Sequence, residues 1–178
     1  MTEFYTGVGS RNVTDKGFQD CKQIAEAMSK KLIVLRSGGA TGCDTAFELG
    51  AGSNHNVYLP WNNFNGRSDE NGVYVNSKTL YTHKEAEYIA SIHHPAWDKC
   101  SPAAKLLHTR NVFQVLGFEL NNPSQVLVCW AEPDKRTRVK GGTATAVAIA
   151  YAHGVPVYNI WLEKDHNEIK EILGLTRQ

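Results

Sequence analysis

A chain of 178 residues is long enough to bury one sizeable core and short for two domains. Its 42% hydrophobic and 21% charged residues are an ordinary globular balance. A formal net charge of +1 excludes any general electrostatic pull toward nucleic acid or membrane, though not a local basic patch.

Strand and helix patterns alternate along the chain. Phe4 to Val8 is a short apolar segment that runs into Gly7-Val8-Gly9-Ser10-Arg11. Thr14 to Lys30 is predicted helical: Thr14 or Asp15 can cap it, and Cys21, Ile24, Ala25 and Met28 recur at helical spacing. Leu32 to Leu35 is a predicted buried strand leading into Ser37-Gly38-Gly39-Ala40-Thr41-Gly42, and a helix follows from about Cys43 to Ala51. Asn56 to Leu59 is a third strand, stopped by Pro60. The stretch 60–81, rich in Asn and Gly with scattered aromatics, is predicted to be a long loop insert, a length usually functional or mobile. A short helix is expected over His83 to Ser91. A longer one starts at Ser101-Pro102 and runs to about Glu119. Gln125 to Trp130 is a strand, 132–140 a charged loop, and Gly141-Gly142-Thr143 opens a helix to about His153. Val155 to Ile160 is the last strand, and Lys164 to Leu173 the last helix. The fold class expected is therefore α/β: one Rossmann-like domain over 1–178, with a parallel sheet and helices on both faces.

Cys21, Cys43, Cys100 and Cys129 stand far apart, with no C-x-x-C pair, and are expected to be free thiols in a reducing cytoplasm. The first residues lack the basic-then-apolar pattern of an export signal, and no apolar run approaches the ~20 residues of a membrane span, so a cytoplasmic protein without a membrane partner is expected.

Three strand-to-helix turns are glycine-rich: Gly7 to Arg11, Ser37 to Gly42, and Gly141 to Thr145. In a parallel sheet such turns gather at the carboxyl ends of the strands, where backbone approaches ligands closely and helix N-termini offer unpaired N–H groups. Together they point to a phosphate-bearing ligand. Neither a phosphate-loop Lys-Ser/Thr ending nor a complete G-x-G-x-x-G is present, since Gly7-Val8-Gly9 lacks the third glycine.

Ser37-Gly38-Gly39-Ala40-Thr41-Gly42-Cys43-Asp44, with Glu48 and Gly50-Ala51 following, resembles the S-G-G-A-x-G-x-D signature of the DprA-like branch of the SLOG superfamily. Pro95-Ala96-Trp97, Ala103-Ala104 and Arg110-Asn111 resemble the YspA-like members. Gly141-Gly142-Thr143-Ala144-Thr145 and Gly154-Val155-Pro156-Val157 resemble the second glycine turn of the superfamily. The resemblance implies a Rossmann-like fold, a pocket for nucleotides or ADP-ribose-like ligands, and homo-oligomers. Its members include phosphoribohydrolases of the LOG type and the single-stranded DNA mediator DprA. LOG enzymes carry P-G-G-x-G-T-x-x-E, whereas Ala148 stands here at the glutamate position. Leu107 to Asn111 resembles their arginine-bearing helix.

The expected ligand groups are Gly9, Ser10 and Arg11 on the first turn and Ser37, Gly38, Gly39, Ala40, Gly42 and Asp44 on the second. Gly141, Gly142, Thr143 and Thr145 supply the third turn, and Arg110 and Asn111 the helix between. Arg110 and Arg11 either grip phosphate in two-point fashion or are surface charges. Asp44 is either a helix cap or an acceptor for a ribose hydroxyl; Glu48 is a salt-bridge partner or, in an enzyme, a catalytic carboxylate beside Asp44. Trp61 either stacks on a base or packs in the core. Asp134 to Lys140 is a short basic loop that attracts an anion or is solvated surface. His93 and His94 are adjacent and do not converge on one ion within a helix, and no other ligand set is visible by spacing, so neither metal nor cofactor is expected. The leading expectation is binding of a nucleotide-derived small molecule. Hydrolysis of a nucleotide and a DprA-like role on single-stranded DNA are the alternatives.

Overall fold

Strands of three to six residues alternate with amphipathic helices and pair side by side in parallel. The computed structural model describes residues 1–70 and 73–176; Asn71 and Gly72, within the expected insert, lie outside the described residues, as do Arg177 and Gln178. In chain order the elements are β1 (Phe4–Gly9), α1 (Asp15–Lys30), β2 (Val34–Ser37), α2 (Cys43–Ala51), β3 (His55–Leu59), β4 (Tyr74–Asn76), α3 (His83–His93) and α4 (Pro102–Leu116). Then follow β5 (Leu127–Trp130), β6 (Pro133–Asp134), β7 (Arg138–Val139), α5 (Thr143–Ala152), β8 (Val157–Asn159) and α6 (Glu163–Ile172).

The main sheet has the order β4-β3-β2-β1-β5-β8, every pair parallel. From β1 the chain steps outward to β4, then returns to the other side of β1 for β5 and β8. That reversal opens a crevice at the carboxyl ends of β1 and β5, where open α/β sheets bind ligands. Register there is set by Gly9 opposite Trp130.

Two cores cover the sheet, one on each face. Side chains alternate along β5: Leu127 and Cys129 pack with α3, α4 and α5, while Val128 and Trp130 pack with α1, α2 and α6. Helices on both faces of a Rossmann-like sheet are thus the observed architecture. The caps are local. Thr14 accepts from the Gly17 N–H at 3.0 Å, and Ser101 accepts from Ala104 at 3.1 Å with Pro102 in the first turn. Each such cap contributes about 1 kcal/mol.

Strands β5 and β8 are shorter than the sequence expectation and α3 runs on to His93, and four further differences have a local cause. Leu32 is not in a strand: it is 80% exposed with φ 61°, because Ile33 N–H bonds back to Met28 and the chain leaves α1 through a left-handed residue. Helix α4 stops at Leu116 rather than Glu119, at Gly117 with φ 77°. The insert contributes a strand, β4, too short and too polar to stand out in sequence. The charged loop folds into the β6–β7 hairpin, its turn held by Asp134, which accepts from Arg136 and Thr137 N–H at 2.8 and 3.0 Å. Among the described residues no helix is long and apolar enough to cross a membrane.

Candidate functional site

The first glycine turn leaves β1 and docks on its neighbours through backbone alone. Ser10 N–H donates to the Trp130 carbonyl at 3.0 Å, and Cys43 N–H donates to the Ser10 carbonyl at 3.1 Å. Gly42 lies directly beneath: its φ is 78°, and a Cβ there would sit 2.5 Å from the Arg11 carbonyl oxygen. Only glycine fits both the backbone and the space.

The second turn is held from every side. Arg110 Nη1 donates to the Gly38 carbonyl, and Asn65 Nδ2 donates to the Gly39 carbonyl at 3.2 Å. The Asp44 carboxylate accepts from Ala40 N–H at 3.1 Å. Ser37 Oγ donates to Glu48 at 2.6 Å, and Glu48 is ion-paired with Arg67 from the insert. Of the groups expected on this turn, Ala40 and Asp44 line the cleft. Ser37, Gly38, Gly39, Gly42 and Glu48 are not in its lining.

Asp44 is 5% exposed, and burial pushes its carboxyl up to about 6, an effect that neighbouring Glu48 reinforces and Arg110 opposes. Burial also lowers the Arg110 guanidinium, to about 10, against the pull of Asp44. Both shifts have the same sign relative to charge: desolvation outweighs the attraction between the two groups. Arg110 Nε donates to Asn111 Oδ1 at 3.0 Å, and Asn111 Nδ2 donates to the Gly142 carbonyl at 3.0 Å. One dipeptide of α4 therefore ties the second turn to the third. Both residues line the cleft, but most of their hydrogen-bonding capacity is directed into the protein.

The third turn is open. Gly141, Gly142 and Thr143 line the cleft, a Cβ at either glycine would meet nothing within 4 Å, and α5 begins with no side-chain cap. Ala144 N–H donates back to the Gly141 carbonyl at 3.1 Å, and the positive end of the helix lies at the cleft lining. Thr145 instead bonds His108 Nδ1 at 2.9 Å. Burial and the neighbouring His94 and Arg110 bring His108 down to about 4, so its ring is neutral at pH 7.

The cleft encloses about 620 Å³. Arg11, Arg110 and Lys140 supply positive charge against Asp44 and Glu132. Lys140 is paired with Glu132 at 2.7 Å, but both are exposed and such a pair is worth little. The aromatic wall is Trp130 with Trp161, ring centroids 4.5 Å apart at 50°. Trp61 is elsewhere, edge-on to Phe64 at 5.2 Å, and does not line the cleft. Sequence reasoning passed over Trp130, Trp161 and Gln114. The available signal was that both tryptophans follow closely on sheet strands at their carboxyl ends. Gln114 is 1% exposed, lines the cleft, and its Nε2 has no hydrogen-bond partner.

A second hollow of about 410 Å³ shares Gly141 with the first. Arg136, Arg138, His93, His94 and Ala148 line it. The position where LOG enzymes carry glutamate is thus a methyl group on a hollow wall. His93 and His94 do not meet at one point with each other; His94 meets Cys100 and His108.

No protein-family model matches the chain, and no curated protein does. Solved structures do match. DNA processing protein A from Helicobacter pylori, whose structure concerns single-stranded DNA binding, superposes with a TM-score of 0.57 at 17% identity, over 99% of this chain and 82% of that one. DNA processing protein A (DprA) from Streptococcus pneumoniae superposes with a TM-score of 0.53 at 16% identity, over 97% of this chain and 56% of that one, so this chain spans little more than half its length. At these identities the likeness is one of fold: this chain has a DprA-like Rossmann fold, with its cleft at the switch point of the sheet.

Proposed function

We propose that the cleft binds single-stranded DNA, taking backbone phosphate at the open third turn and stacking bases on the exposed Trp161, which Trp130 backs from the core. The observation that carries this reading is that two cation-lined hollows meet at Gly141: Arg11, Arg110 and Lys140 line one, and Arg136 and Arg138 line the other. A cationic groove with aromatic platforms is the usual physical solution for single strands. The DprA-like fold and the DNA bound by the Helicobacter pylori protein support the same reading. A net charge of +1 is compatible with it because these cations are gathered around the two hollows.

The test is fluorescence anisotropy of a labelled oligothymidylate at two salt concentrations. Saturable binding that weakens with salt is expected. Arg11→Ala and Lys140→Ala should each flatten the slope of log K against log salt by about 0.7. A folded protein that shows no saturable binding at low salt would sink the proposal.

One observation favours a second reading, a free nucleotide or ADP-ribose-like ligand. The buried Gln114 Nε2 donor, which has no hydrogen-bond partner, and the start of α5, which has no side-chain cap, both belong to residues lining the same cleft. Competition separates the two: a mononucleotide that displaces the oligonucleotide at equal concentration favours the small ligand. Hydrolysis has weaker support, since Glu48 is held by Ser37 and Arg67 away from the cleft and Ala148 carries no carboxylate. Asp44, Glu132 and His108 remain in the lining as groups that could act as acid or base.

A further inference from the structure

Between the two hollows stands a cluster that the DNA-binding reading does not use. His94 ends α3, Cys100 lies in the connection to α4, and His108 is two turns into α4. One ligand atom from each lies within 4.8 Å of the others. Cys100 Sγ is 3.8 Å from His94 Nδ1 and 3.7 Å from its Nε2, and the two imidazole centroids are 4.4 Å apart. All three side chains are half-buried, so an ion can reach them from solvent.

We propose that His94, Cys100 and His108 form a binding site for a divalent, borderline-soft metal ion such as Zn²⁺. Two imidazole nitrogens and one thiolate are the donor set such an ion selects, and three protein ligands leave a fourth position for water or another oxygen. The surroundings fit. His108 Nδ1 is bonded to Thr145 Oγ1 at 2.9 Å, which orients the ring and leaves Nε2 as the ligating nitrogen, the usual outer-shell arrangement. His94 Nδ1 accepts from Ala96 N–H at 3.0 Å, so this lone pair passes from that hydrogen bond to the metal when the ion binds. Cys100 loses its thiol proton to solvent as the sulfur–metal bond forms, and no electron changes hands. The ion would brace α3 and the 94–100 connection against α4. It would stand in the wall between the hollows, since His94 lines one and His108 the other.

Cobalt is the probe, because thiolate ligation gives it a charge-transfer band in the near ultraviolet and tetrahedral geometry gives strong visible bands. Chelator-treated full-length protein titrated with Co²⁺ should show both bands, saturating at a single ion per chain, and Zn²⁺ should bleach them. Cys100→Ser, a near-isosteric change outside both cores, should abolish the charge-transfer band and weaken Zn²⁺ binding by about 100-fold or more. Thr145→Val should leave the bands and weaken Zn²⁺ by about 10-fold, the cost of losing an outer-shell partner. Circular dichroism on each variant identifies any that fails to fold, and His108→Asn then serves in its place. Absence of the charge-transfer band in the wild-type protein, or Zn²⁺ affinity unchanged in folded Cys100→Ser, would overturn the site. The Co²⁺ spectra and Zn²⁺ affinities are read in the absence of DNA, so the two proposals stand or fall on separate measurements.

Discussion

The second and third glycine turns look alike in sequence, each a Gly-Gly pair with hydroxyl residues opening a helix, yet the protein uses them in opposite ways. In the second, Ser37, the Gly38 and Gly39 carbonyls and Glu48 all have partners inside the molecule. In the third, the two glycines border open space. The difference lies outside both turns. Arg110, Arg67 and Asn65 reach into the second from α4 and the insert, whereas the third is touched from α4, by Asn111 at the Gly142 carbonyl and by His108 at Thr145. A glycine-rich turn marks where backbone comes close to something; its surroundings decide whether that is protein or ligand.

Removing the clamp should have the largest effect. Arg110→Ala removes the buried donor to the Gly38 carbonyl and to Asn111 Oδ1, and should cost about 3–5 kcal/mol in urea denaturation, from the unsatisfied buried acceptors together with the cavity left behind. A loss below about 1 kcal/mol would mean that the second turn holds its shape unaided.

Paired glycine substitutions test the comparison most directly. Gly42 and Gly141 have nearly equal φ, 78° and 77°, but only Gly42 is enclosed. Gly42→Ala should cost about 3 kcal/mol, strain plus the clash with Arg11 and Ser10; Gly141→Ala should cost about 1 kcal/mol, strain alone. Equal losses would erase the distinction between the two turns.

Asp44 gives a pH signature. Its carboxyl rises from the ordinary 3.8 of the unfolded chain to about 6 in the folded protein, so the native state binds the extra proton. Stability from this group is therefore greatest below about pH 4 and declines as pH rises through about 6, the reverse of an ion-paired carboxylate. Asp44→Asn should flatten that part of the stability profile, and affinity for an anionic ligand should rise as wild-type protein is brought below about pH 6. A profile unchanged in the variant would contradict the burial argument.

The smallest stability effect belongs to the open side. Lys140→Ala should move stability by no more than about 0.5 kcal/mol while reducing the salt-dependent part of oligonucleotide binding. Lost stability without lost affinity would place Lys140 with the clamp rather than the cleft.

The alternation of apolar strands with amphipathic helices was legible from local pattern. The period of burial is a property of neighbouring residues, and it determined the α/β class and most element positions. The three turns were legible for the same reason, as glycines after strands. What the chain order could not contain was which polar groups meet across it. Glu48 finds Arg67, Arg110 finds Gly38, and His94 finds Cys100 and His108 only after the helices pack, at separations no periodicity encodes. The aromatic wall was hidden likewise: Trp130 and Trp161 are 31 positions apart and become neighbours because β5 and β8 pair. The sequence determined where backbone could approach a ligand; tertiary packing decided which of those places remained open, because each buried hydrogen-bonding group needs a partner and takes the one the fold brings within reach.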